Sequence, residues 1–252
     1  MSTPRLVDDV GPVAWESTPA PPPIRSDNAR TVAQWFGVLT GAWKPYRRSR
    51  RRKPEPAPLK RFTLPNPAPN SITLIRGASG AGKTRLLRDW MTAASTNTSA
   101  APGVNVRQLI DLPAVDLPDR PLVDLFDALD LKDALRLLGR VGLGEVWTYL
   151  RTPTELSEGQ RWRLRLALAL HMARRNGDAG DPPVLVCDEF AAVLDRVTAC
   201  VVARGLRRVI TAHPTPLSAI LVTSHDDLID ALQPDVIVHC DFTRVHVHTR
   251  AT

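Results

Sequence analysis

Eight residues, GASGAGKT at Gly77–Thr84, place three glycines, a lysine and a hydroxyl at the spacing GxxxxGK[ST]. Each residue type has a part in holding a polyphosphate. Gly77, Gly80 and Gly82 let the backbone turn its N–H groups inward, and Ala78, Ser79 and Ala81 complete a loop small enough for phosphate oxygens to approach. Lys83 adds a point charge for β- and γ-phosphates, and the Thr84 hydroxyl is placed to bind Mg²⁺. The flanking stretches "SITLIR" and "RLLRDWM" supply a strand before the loop and a helix after it. The helix directs its positive end at the same anion, and Leu86, Leu87 and Trp90 are expected to pack it down.

Two further strand ends carry chemistry. "PVLVCDEF" is an apolar run closed by adjacent acids. A strand of that kind is buried on both faces, and its carboxyl end opens into the crevice where α/β sheets bind ligands. Asp188 is then a Mg²⁺ partner and Glu189 a base for a water attacking a γ-phosphate. The plainer alternative is an acidic pair capping the next helix. "AILVTSHDDLI" repeats the architecture and ends near His225, which is either structural or, at such a strand end, functional. "HCDFTRVHVH" gathers His239, Cys240, His246 and His248. Strand alternation accounts for these better than a metal cage, because no second ligand pair has zinc-site spacing.

Such residues need a sheet to position them. From residue 71 the chain alternates short β-branched runs with helical patterns: "SITLIR", "VNVRQLIDL", "PVLVCD", "AILVTS" and "DVIVHC" read as strands, with "RVHVHT" as an antiparallel edge partner. This predicts an α/β fold of the P-loop NTPase class, with a mostly parallel sheet flanked by helices. A helical block spans about 121–176. Within it, Ser157 and Gln160 have the S-x-x-Q pattern of a capping box. A helix follows despite the period-two look of "RWRLRL", since Leu164, Ala167, Leu168 and Met172 share a helical face.

The chain of 252 residues is long enough for one such domain with an appendage. Charges interrupt every apolar stretch well before the roughly 20 residues of a membrane span, and the acidic, proline-containing start does not resemble a secretory signal. Cys187, Cys200 and Cys240 are odd in number and far apart, which suits a reducing cytoplasm. Residues 1–60 read as a proline-rich, basic tail and linker, with 61–252 as the domain. "ARTVAQWFGVLTGAW" in the tail has Val32, Trp35, Phe36, Leu39 and Trp43 at helical spacing, which predicts a short amphipathic helix over 29–43. Between Lys44 and Arg61 stand nine basic residues and one acid, so this segment carries the whole basic surplus of a chain whose net charge is +7. It is a solvated tail, or an arm for nucleic acid or an anionic membrane surface.

In this order the motifs resemble those of the ATP-binding-cassette ATPases, from about residue 60 to about residue 240. GASGAGKT stands for Walker A, LSEGQ for the family signature, VLVCDE for Walker B, AAVLD for the D-loop and SHDD for the histidine switch. The resemblance implies a MgATP-hydrolysing enzyme that works as a head-to-tail homodimer, with LSEGQ on a small helical subdomain. Ser157, Glu158, Gly159 and Gln160 would then meet the γ-phosphate of the partner's ATP. Asp195 would link the two sites, and His225 would sense the γ-phosphate beside Glu189. Gln108 and Phe62 are the nearest residues to the family's Q-loop and adenine-stacking positions. The sequence departs from the pattern at Glu158, where glycine is usual, and at Phe190, where transporters usually carry proline. Its Lys83–Leu156 stretch is also shorter than in transporter ATPases, which trims the surface that engages membrane subunits. In appearance the chain is similar to a soluble branch often fused to a predicted acetyltransferase domain. An energising subunit for separate transmembrane partners and a nucleic-acid-associated ATPase are the alternatives.

Overall fold

The computed structural model describes residues 6–10, 62–95, 109–176, 182–212, 216–241 and 244–250. Seven strands, β1 (Leu6–Val10), β2 (Ile72–Gly77), β3 (Leu109–Asp111), β4 (Val184–Cys187), β5 (Ser218–Thr223), β6 (Val236–Cys240) and β7 (Val245–Thr249), form one sheet in the order β1-β7-β6-β2-β5-β4-β3. From β6 to β3 every pairing is parallel, whereas β7 runs antiparallel to β6 and β1 antiparallel to β7. The chain has the P-loop NTPase fold.

Alternation along the central strands divides their side chains between two cores. Ile72, Leu74, Leu185, Cys187, Ala219 and Leu221 point to one face, and Ile75, Val184, Val186, Ile220 and Val222 to the other. Both faces must therefore be covered, which is why these runs are apolar throughout rather than half polar. Helix α1 (Lys83–Ser95) covers the second face through Leu86, Leu87 and Trp90, as its spacing predicted, and the Trp90 indole N–H donates to Asn66 Oδ1 at 3.1 Å. The first face is covered by the helical block, by α5 (Arg196–Ala212) and by the short α6 (Ile229–Leu232).

The helical block contains α2 (Leu131–Arg140), the single turn α3 (Val146–Tyr149) and α4 (Glu158–Asn176). Asp130 caps α2 by accepting the Asp133 N–H at 2.7 Å. Helix α4 begins with the reciprocal capping box that Ser157 and Gln160 predict. The Gln160 N–H donates to Ser157 Oγ at 3.2 Å, and the Ser157 N–H to Gln160 Oε1 at 3.0 Å. Leu164, Leu166, Ala167, Leu168, Ala169 and Leu170 are all buried, so α4 is wedged in the core over almost two turns. That burial on several sides is what made the run look like a strand. Met172, expected on the apolar face, is instead exposed, because it borders an open groove that Leu168 and Arg175 also line.

Arg207 of α5 ties the helix layer to the sheet. Its guanidinium grips Asp235 at 2.5 and 3.1 Å, and the same carboxylate accepts the Ile72 N–H at 2.8 Å. Burial alone would raise the Asp235 carboxyl, but the guanidinium and the N–H outweigh it and hold the group below the usual carboxylate range.

The tail assigned to residues 1–60 contributes β1 to the sheet edge. The helix expected over 29–43, the basic segment Lys44–Arg61 and Gln108 lie outside the described residues. Among the described residues, no helix is long and apolar enough to cross a membrane.

Candidate functional site

Because β2 to β6 are parallel, their carboxyl ends share one edge of the sheet. Gly77 ends β2, Asp188 follows β4, Ser224 follows β5 and Asp111 ends β3. A cleft of about 570 Å³ opens along this edge, lined by the loop residues Ser79, Gly80, Gly82, Lys83 and Thr84 on one side and by Asp188, Glu189 and Ser224 on the other. The phosphate loop and the two acids, 104 residues apart between Thr84 and Asp188, thus meet across one space.

The loop has the backbone that its glycines predicted. Gly77, Gly80 and Gly82 have φ of 147°, 81° and 88°. The Lys83 ammonium donates to the carbonyl oxygens of Gly77 and Ala78, each at 2.8 Å, which holds the charge at the loop's mouth. Gly77 is needed twice over. Its φ is hostile to a side chain, and a Cβ there would stand inside contact distance of the Cys240 carbonyl oxygen on β6. Both groups are backbone, so neither can swing aside. Gly77→Ala is expected to destabilise the fold by about 1–3 kcal/mol, read as a lower urea midpoint.

Glu189 also has an uncommon backbone, with φ of 53°. Such a left-handed non-glycine residue turns the chain sharply after β4 and presents the exposed carboxylate to the cleft. The turn is held by the Glu189 N–H donating to Asp188 Oδ1 at 3.1 Å and by the Phe190 N–H donating to Val222 O at 2.7 Å. Phe190, the departure from transporter proline, is fully buried and meets Trp162 of α4 edge to face, with centroids 5.3 Å apart. It thereby packs the acidic strand end against the helix that begins at the signature. Asp111 was not anticipated as a site residue. Burial raises its carboxyl, and the neighbouring Asp188 charge raises it further. The parallel register that sets Asp111 opposite Val186 is invisible before the strands are paired. Arg85 and Arg88 also line the cleft and were not anticipated as site residues.

As hard oxygen donors on one cleft, Thr84 and Asp188 fit Mg²⁺, which takes one or two protein oxygens and completes its shell with phosphate and water. Among the described residues, no group of three His, Cys, Asp or Glu side chains converges as a metal cage.

Other expected site residues stand apart. His225 follows the cleft-lining Ser224 but does not itself line the cleft; its N–H donates to Thr223 Oγ1 at 3.1 Å. Ser157 and Glu158 are exposed, and none of Ser157–Gln160 lines the cleft. Gly159 packs instead on the loop after β4: a Cβ there would meet Leu194 Cδ2 at 3.1 Å and Val193 O at 3.5 Å. Asp195 is exposed and caps α5 by accepting the Thr198 N–H at 2.9 Å. Bonds from Thr198 hold its carboxyl below the usual range. Phe62 is partly buried against the core beneath α1 and does not line the cleft.

Cleft and sheet together define a P-loop nucleotide fold, and its likeness to solved structures is to ATP-binding cassettes. The cassette MJ0796, described as dimeric in a post-hydrolysis state with ADP and Pi, superposes with a TM-score of 0.51 at 18% identity over 72% of this chain and 86% of that one. CbiO1 from Clostridium perfringens, described as part of the ABC transporter complex cbiONQ, gives 0.50 at 19% identity over 73% and 79%. No family model and no curated protein matches the sequence.

Proposed function

We propose that the chain is an ABC-type ATPase that binds MgATP and hydrolyses it as a head-to-tail homodimer in the cytoplasm. The observation that carries this reading is the split between two sets of residues. Gly77–Thr84, Asp188 and Glu189 face one cleft, while Ser157–Gln160 present an exposed helix start elsewhere on the molecule. An exposed helix start suits an anion that another copy supplies. In a two-fold arrangement each copy gives its cleft and receives the other's signature, closing two equivalent sites.

The chemistry follows from the groups present. Inward N–H groups and Lys83 hold the phosphates, and bound Mg²⁺ would neutralise charge on the β- and γ-oxygens. Glu189 takes a proton from water as its oxygen bonds to the γ-phosphorus. The bond from that phosphorus to the β-bridging oxygen breaks, leaving ADP and inorganic phosphate. The partner copy's signature residues are read as completing the site across the interface, with Asp195 linking the two sites and His225 sensing the γ-phosphate beside Glu189. The dimeric state described for MJ0796 supports this arrangement. The three free thiols suit a reducing compartment.

The test is phosphate release from ATP with Mg²⁺ across a range of protein concentrations. Turnover per chain is expected to rise with concentration until ATP-bound dimers, followed by sedimentation, saturate. Turnover per chain that stays constant while the protein remains monomeric would overturn the composite site. A second reading, the ATP-hydrolysing subunit of a transporter with separate membrane partners, is favoured by the transporter complex described for CbiO1. Co-purification with an integral membrane protein would select it. The likeness to the soluble branch rests on "LSEGQRWRLRLALAL" and "CDEFAAVLDRVTA".

A further inference from the structure

The two acids after His225 are each held by an arginine from a different element. Asp227 receives a two-pronged grip from Arg196 at the start of α5: Nε donates to Oδ2 at 2.8 Å, and the second guanidinium nitrogen meets Oδ1. Asp226 is paired with Arg76 at 3.0 Å. Arg76 is the residue before Gly77, and its Nε donates to His239 Nδ1 at 3.1 Å, which keeps its guanidinium pinned to β6 as well. Arg196 follows Asp195, the residue that caps α5.

We propose that Arg196 and Arg76 are positioning residues that fix His225 in place, one relative to the loop ending at Asp195 and the other relative to the phosphate loop. The proposal rests on the ATPase reading of the cleft. Its logic is one of magnitudes. Both pairs are solvent-exposed on at least one side, with Asp226 and Asp227 side chains 69% and 49% accessible, so neither contributes much to global stability. A forked guanidinium–carboxylate pair nevertheless fixes direction as well as distance. His225 is half-buried and its N–H donates to Thr223 Oγ1, and the two acids that follow it in the chain carry the arginine anchors just described, so they set the path of the segment on which it stands. Movement of the loop at Asp195, as a second copy docks, is then passed through Arg196 to the segment beside the cleft.

The experiment compares Arg196→Gln, Arg196→Lys and Asp227→Asn in the full chain. Readouts are steady-state turnover, binding of a non-hydrolysable ATP analogue, and amide exchange over residues 224–228. Arg196→Gln and Asp227→Asn are expected to lower kcat about 10- to 100-fold with analogue affinity within about twofold, and to speed exchange over 224–228. Arg196→Lys, which keeps the charge but not the fork, is expected to recover part of the turnover. Unchanged kcat and exchange in Arg196→Gln would overturn the proposal, as would equal losses of turnover, analogue binding and thermal stability. If the wild-type chain hydrolyses no ATP, the reading of the cleft fails, while unchanged exchange in the variants would separately refute the clamp.

Discussion

Glu189→Gln is expected to slow ATP hydrolysis about 100- to 10,000-fold while leaving MgATP bound. Glutamine keeps the size and hydrogen-bonding reach of the side chain but cannot take up the proton that an attacking water must lose. The choice of glutamine matters because Glu189 sits at a φ of 53°, where a β-branched replacement would add backbone strain to the loss of chemistry. With binding intact and turnover blocked, the ATP-bound dimer should accumulate, and sedimentation in MgATP should show a species absent without nucleotide. Single-turnover phosphate release separates this from slow product exit. Release at the wild-type rate would move the general base away from Glu189, and loss of analogue binding would mean that the carboxylate holds nucleotide rather than activating water.

The sequence carried the sheet and the phosphate loop because both depend on local pattern. Two-faced strands such as "VLVC" cannot alternate apolar and polar, so they announce burial between layers. GASGAGKT fixes its own backbone through glycines and thereby its function. The acids Asp188 and Glu189 were legible for a related reason, as charge at the end of an apolar run has to face an opening. What stayed hidden depends on register and on contacts between distant elements. Asp111 became part of the cleft's electrostatics only once β3 was placed beside β4. Phe190 reads as a departure from pattern in the sequence, and its contact became visible only in the fold, where the buried ring meets Trp162 and packs the acidic strand end against α4. Strand β1 had no signal, because "LVDDV" lacks alternation and its partner β7 is more than 230 residues away.

Lys83→Ala is expected to weaken MgATP binding by about 2–5 kcal/mol, a loss of roughly 30- to 4,000-fold in affinity. Two features of the loop argue for so large an effect. The ammonium is pre-placed by the Gly77 and Ala78 carbonyls at 2.8 Å, so little ordering remains to be done when phosphates arrive. The other cations lining the cleft, Arg85 and Arg88, stand one and four residues beyond Thr84 in the first turns of α1, and their planar guanidinium groups are not equivalent to the compact ammonium that Lys83 sets at the loop's mouth. Stability should change far less than affinity, because Lys83 is only half-buried and its partners are loop carbonyls that water can solvate. Isothermal titration with ATP and Mg²⁺, paired with a urea melt of the same variant, distinguishes the two. Gly77→Ala is the converse case, since it strains the same loop through β6 and should lower the melt as well as the affinity. If Lys83→Ala bound MgATP within tenfold of wild type, the cleft would be recognising phosphate through its backbone N–H groups alone, and the charge on Lys83 would act only during hydrolysis.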